Sequence, residues 1–138
     1  MRWVPALAFF SFLLWVIVAA DSGRPNYFLQ LAASMPYGDK IGHVVLFATL
    51  ALLLNFATKA RQVAFGPIRL YLGVVLTLGF ALLEEGSQLL FPSRSFELLD
   101  ILADLLGVAL ATWLTTAFYQ LRARYRRGSP TKQAPVDD

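Results

Sequence analysis

Side chains able to hold a proton, a cation or an anion crowd into short stretches of an otherwise apolar chain: Asp39, Lys40 and His43; Glu84, Glu85 and Gln88; and Arg94, Glu97, Asp100 and Asp104. Six are acids and only Lys40 and Arg94 are firmly basic, a formal excess of four negative charges. Such a group either keeps some carboxyls neutral, since burial and like-charge crowding disfavour ionisation, or recruits a cation. His43, Glu85 and Asp100 are the candidate catalytic groups, with His43 or Glu85 as general base. Arg94 suits an anion such as phosphate. One imidazole among carboxylates also suits a divalent cation, either a hard ion on oxygen ligands or zinc on three side chains and a water. There is no HExxH, no Walker loop and no Ser, His, Asp order resembling a triad, and the absence of cysteine removes thiolate chemistry.

Each residue also has a structural reading. Asp39, following Pro36 and Gly38, is expected to be a helix N-cap. Lys40 reads as a snorkelling rim charge, Glu97 as a solvated first-turn acid, and His43 by itself as a hydrogen-bonded interior histidine. Glu85, Gln88, Asp100 and Asp104 resist this treatment, because an interface between membrane helices can be built from Gly, Ala and Thr alone. Intramembrane ionisable groups point to function by default.

The elements that must position these groups are four apolar stretches: Trp3 to Ala20, Ile41 to Ala57, Leu70 to Phe91 and Leu98 to Tyr119. The chain has 138 residues, 57% hydrophobic and only 15% charged, against about 25% charged in soluble domains. An interior of this size cannot hide so much Leu, Phe, Ala and Val, whereas a bilayer accepts apolar side chains on every face of a helix. A span needs about 20 apolar residues, and only helices or closed barrels satisfy their backbone in lipid. The expectation is therefore an all-α, polytopic membrane protein of four transmembrane helices over residues 1–121, followed by a basic, then polar, disordered tail over 122–138. Connections run from Asp21 to Lys40, from Thr58 to Arg69 with Gly66-Pro67 as breaker, and through a tight Pro92 to Ser95 turn. No internal repeat is visible.

Orientation follows from the basic residues. Arg2, Lys59, Arg61, Arg69, Arg122, Arg124, Arg126, Arg127 and Lys132 fall on one side and Arg24, Lys40 and Arg94 on the other, which puts both termini in the cytoplasm. All the acids except Asp137 and Asp138 lie toward the outer side. The net charge of +3 is thus an orientation signal and implies no nucleic-acid partner. The expected partners are the lipid bilayer, anionic lipids at the 122–127 basic cluster, which otherwise serves as a stop-transfer anchor, and an envelope or lipid-linked ligand outside. Arg2 with an apolar run ending Val18-Ala19-Ala20 also fits a signal peptide, but a run of about 18 residues exceeds a normal h-region, and a retained helix is expected. Tyr27, Phe28 and Tyr37, and Tyr71, Trp113 and Tyr119, read as interfacial belts.

At about 100° per residue, Glu84 and Gln88 fall within about 40° of each other and Glu85 within about 60° of Gln88. The same stripe runs back through Ala81, Thr77 and Gly73. Asp100, Asp104, Gly107, Ala111 and Thr115 form a matching stripe, and the two are predicted to meet. Asp39 and His43, four apart, share a face of the second helix. Asp104 lies about 10 Å below the Pro92 to Ser95 turn, where an acid costs up to about 2.5–3.5 kcal/mol.

These residues resemble those of the VanZ-like family of small bacterial membrane proteins. Asp39-Lys40-Ile41-Gly42-His43 resembles its D-K-x-x-H motif. Glu85-Gly86-Ser87-Gln88 with Phe91-Pro92-Ser93-Arg94 resembles its E-x-x-Q followed by a Pro and Arg turn. Asp100 and Gly107 stand where that family has D and G in D-x-x-x-N-x-x-G, with Asp104 in place of Asn and Ser93 in place of a common Gly. The resemblance is strongest over 39–111. It implies a multi-pass protein of the bacterial cytoplasmic membrane, with roles in the cell envelope or in resistance to the glycopeptide teicoplanin. The expected binding residues are Asp39, Lys40, His43, Glu84, Glu85, Gln88, Arg94, Asp100 and Asp104, in an outward pocket for an envelope component. The alternative is a membrane enzyme acting on a lipid-linked or cell-wall precursor, aided by a divalent cation. Ion transport ranks last, because the inner halves of the segments are apolar.

Overall fold

The computed structural model describes residues 1–23, 27–90 and 97–128. Along them run α1 (Val4–Asp21), α2 (Tyr27–Ser34), α3 (Gly38–Ala57), β1 (Gln62–Phe65), β2 (Ile68–Tyr71), α4 (Leu72–Gln88) and α5 (Leu98–Gly128). The helices α1, α3 and α5 are long and apolar enough to cross a membrane. With 17 residues, α4 is about 25 Å long. The large side chains point outward: Leu98, Leu102, Leu105, Leu106, Leu110, Trp113 and Leu114 are all exposed along α5, as a lipid-facing surface requires.

Small residues line much of the interior, with Phe47, Leu13 and Leu50 the largest apolar side chains enclosed. Ala51, Val74, Val108 and Ala111 form the core where α3, α4 and α5 meet, with Leu52, Tyr71 and Leu78 packed around it. Both stripes are buried: Gly73, Thr77, Ala81, Glu84, Glu85 and Gln88 on α4, and Asp100, Asp104, Gly107, Ala111 and Thr115 on α5. The two stripes meet as expected at their acidic ends, where Glu85 of α4 and Asp104 of α5 bring carboxylate oxygens within 4.8 Å of each other, but further along each directs its glycine at α3. A Cβ on Gly107 would sit 2.5 Å from the Val44 carbonyl oxygen and 3.0 Å from the Ala48 nitrogen, and one on Gly73 would sit 2.5 Å from the Asn55 nitrogen. With no Cβ, glycine lets two helix backbones touch, so α3 becomes the shared partner.

Deep in this interface Asn55 Nδ2 donates to Thr115 Oγ1 at 3.1 Å, with both residues fully buried. Interhelical hydrogen bonds of this kind contribute about 0.6 kcal/mol on average. Thr115→Val is therefore expected to lower stability in detergent by about 1 kcal/mol or less. Thermal unfolding followed by circular dichroism checks it, and a loss several times larger would contradict this account. Helix α1 joins the bundle by burying Ala6, Leu13 and Val16 and by an edge-to-face contact of Phe10 with Phe80 at 5.0 Å.

Several sequence expectations are corrected. The chain is not purely helical, since β1 and β2 form an antiparallel hairpin pairing Gln62 with Tyr71 and Phe65 with Ile68. Gly66, at φ +61°, supplies the positive φ that a two-residue loop needs at its first central position, and Pro67 follows with its fixed negative φ. Alternation of apolar Val63, Phe65, Ile68 and Leu70 around that dipeptide was the hairpin signal. Leu70 and Tyr71 accordingly belong to β2, and the Tyr71 hydroxyl lies 3.0 Å from Thr116 Oγ1 on α5. The first connection contains a short helix, α2. Helix α5 continues through 122–128 rather than giving way to a disordered tail there, because Leu, Arg and Ala are strong helix formers. Residues 129–138 and the Pro92 to Ser95 turn lie outside the described residues.

Candidate functional site

Three helix ends converge at one end of the bundle: the first turns of α3 and α5 and the last turn of α4. Tyr37, at φ +57°, turns the chain sharply into α3, which begins at Gly38. Asp39 is therefore inside the first turn and is not the N-cap expected of it; no side chain caps that end. The shift by two positions frees its carboxylate for Lys40.

Lys40 is the centre of an outer layer. Its Nζ contacts Asp39 Oδ2 at 2.9 Å, Glu97 Oε2 at 2.5 Å and Asp100 Oδ1. The side chain is only 16% exposed, so Lys40 is not a snorkelling rim charge; the carboxylates draw it inward. Glu97 immediately precedes α5 and binds Lys40 rather than standing alone in solvent.

The inner layer lies one turn deeper. His43 Nδ1 and Asp104 Oδ1 are 2.9 Å apart across 61 residues of sequence, and His43 Nε2 lies 3.9 Å from Asp100 Oδ2. The imidazole stacks on Phe47, with ring centroids 5.9 Å apart and planes within 8°. On α4, Gln88 Nε2 donates to Glu84 Oε1 at 3.0 Å and to Glu85 Oε1 at 3.2 Å, tying two neighbouring carboxyls together. Glu85, Gln88 and Asp104 are each 1% exposed. Glu85 Oε2, Gln88 Oε1 and Asp104 Oδ2 are buried without a hydrogen-bond partner.

Asp39, Lys40, His43, Glu84, Glu85, Gln88, Asp100 and Asp104 thus come to one end of the bundle, while Arg94 lies outside the described residues. Sequence reasoning missed Phe47, the platform under His43, although it stands four positions on along the same face. It also missed Asn55, whose amide in an apolar helix was the available signal.

Membrane-length apolar helices around a buried cluster of acids define a small integral membrane protein with its ionisable groups gathered at the end where α3 and α5 begin. The family model VanZ/LLP1 matches residues 3–119, and the chain belongs to that family. No curated protein and no solved structure matches the chain.

Proposed function

We propose that this VanZ-family protein crosses the bacterial cytoplasmic membrane four times, with both termini in the cytoplasm, and binds a positively charged group of an envelope component at its outer end. The observation that carries the reading is the convergence of Glu84, Glu85, Asp100 and Asp104, all buried, with Lys40 as the only lysine or arginine among the described residues ion-paired in the cluster. A buried carboxylate excess of this kind favours a cationic ligand. The orientation is supported by the segregation of basic residues toward the opposite end, where Arg122, Arg124, Arg126 and Arg127 suit anionic lipid headgroups. Such a protein would act in envelope homeostasis or in tolerance of teicoplanin. Glu85→Gln and Asp100→Asn variants, produced at wild-type level, are expected to lose most of the effect of the protein on glycopeptide susceptibility and envelope stress. Unchanged phenotypes in both would dispose of the proposal.

A second reading is favoured by the His43–Asp104 pair. A carboxylate on one ring nitrogen orients the imidazole as a general base, and a neighbouring cation would make the site that of a metal-assisted enzyme on a lipid-linked or cell-wall precursor. Turnover of such precursors by the purified protein distinguishes it from simple recognition.

A further inference from the structure

Two groups of cation ligands sit side by side at the acidic end of the bundle. Asp39, Glu97 and Asp100 bring oxygens within 4.8 Å of one another, and they already surround a cation, the Lys40 ammonium. His43, Glu85 and Asp104 form a second group of the same tightness, one donor atom from each lying within 4.8 Å of the others. No lysine or arginine among the described residues pairs with Glu85 or Asp104. The two groups are alike in size, and among the described residues only the first encloses a lysine ammonium.

We infer that His43, Glu85 and Asp104 bind a single first-row divalent transition-metal ion. The inference rests on reading the acidic cluster as a cation site, and it names the cation. Donors sharing one ion in a tetrahedral shell with bonds of about 2.1 Å stand about 3.4 Å apart, so the group draws in by up to about 1.4 Å to seat the ion. Glu85 is fixed through one oxygen by Gln88 Nε2, and His43 Nδ1 and Asp104 Oδ1, 2.9 Å apart, already stand side by side as neighbouring donors on one ion would. The other oxygen of each carboxylate, Glu85 Oε2 and Asp104 Oδ2, is buried without a hydrogen-bond partner, in residues 1% exposed. A buried carboxylate oxygen is ordinarily satisfied by a donor or a metal. Phe47, stacked on the imidazole, holds the ring in place as supporting groups around metal ligands do. An imidazole nitrogen with two carboxylate oxygens selects Zn2+ or Mn2+ over Mg2+ and Ca2+, which prefer all-oxygen shells. Three protein donors also leave a coordination position open to a ligand from outside.

The test uses the full chain purified in detergent, stripped with a chelator and titrated separately with Zn2+, Mn2+, Mg2+ and Ca2+, with bound metal counted after gel filtration. One Zn2+ or Mn2+ per chain is expected, bound at least about tenfold more tightly than Mg2+ or Ca2+. His43→Asn and Asp104→Asn should each weaken binding by at least about tenfold, while Lys59→Gln, just past the far end of α3, should not change it. No stoichiometric metal, or binding untouched by both substitutions, overturns the inference. Because a buried substitution can cost folding, pulsed electron paramagnetic resonance of the Mn2+-loaded wild-type protein provides a second measure. Coupling to one imidazole nitrogen is expected, and its absence also overturns the site. If no metal binds but Glu85→Gln and Asp100→Asn still alter the envelope phenotype, only the metal is lost. If metal binds and those variants change no phenotype, the recognition reading fails and the metal site stands.

Discussion

A leucine in place of Gly107 is expected to prevent α3 and α5 from closing, leaving a chain that inserts in the membrane but does not pack. The reason is geometric. The first added carbon would already lie 2.5 Å from the Val44 carbonyl oxygen and 3.0 Å from the Ala48 nitrogen, and both atoms belong to a helix backbone that cannot rotate away as a side chain could. Overpacking usually costs about 1–3 kcal/mol through side-chain rearrangement. Here the relief must come from separating two helices along the interface that also carries Ala51, Val108 and Ala111, so the upper end of that range or beyond applies. Against a total stability of about 5–15 kcal/mol, this is a large fraction. Gly107→Ala should lower the unfolding midpoint in detergent by at least about 4 °C, and Gly107→Leu should abolish a cooperative transition. Two variants that melt like the wild type would show that α3 and α5 are not in backbone contact.

The second large effect is expected at Lys40. Removing one partner of a buried ion pair costs about 3–5 kcal/mol, because the remaining charge has neither water nor a counter-ion. The three carboxylates around Lys40 are not equivalent in this respect. Asp39 and Glu97 have side chains 59% and 44% exposed and are solvated without it, whereas Asp100 is 9% exposed. Exposed pairs contribute about 0–1 kcal/mol, so nearly all the penalty of Lys40→Met falls on Asp100. A loss near 3 kcal/mol is expected, and the double variant Lys40→Met with Asp100→Asn should recover most of it. Adding Asp39→Asn instead should recover little. Equal recovery from the two second substitutions, measured by thermal unfolding of the purified variants, would contradict the assignment of Asp100 as the buried partner.

Much of the site was legible beforehand because helix periodicity is local. Asp39 and His43 at a spacing of four, and Glu84, Glu85 and Gln88 within one turn, can only project from single helix faces. In α4 the whole face they share is buried. The pairing of Lys40 with Glu97 escaped for the opposite reason. It joins residues 57 positions apart, which no spacing rule reaches. The N-cap assigned to Asp39 failed on a detail of backbone geometry, the positive φ of Tyr37 that starts α3 at Gly38.

Hydropathy and the sorting of charge by themselves determined that this chain is built largely from apolar helices with most of its acids toward one end and most of its basic residues toward the other, because both follow from the transfer free energies of residues close in sequence. Tertiary structure alone decided that α3 receives both small-residue faces, through Gly73 and Gly107. It also decided that one layer of acids closes on Lys40 while the deeper layer gathers around His43. Those outcomes depend on how closely one backbone approaches another and on which side chain arrives from a different helix, and neither quantity is a property of any single stretch of the chain.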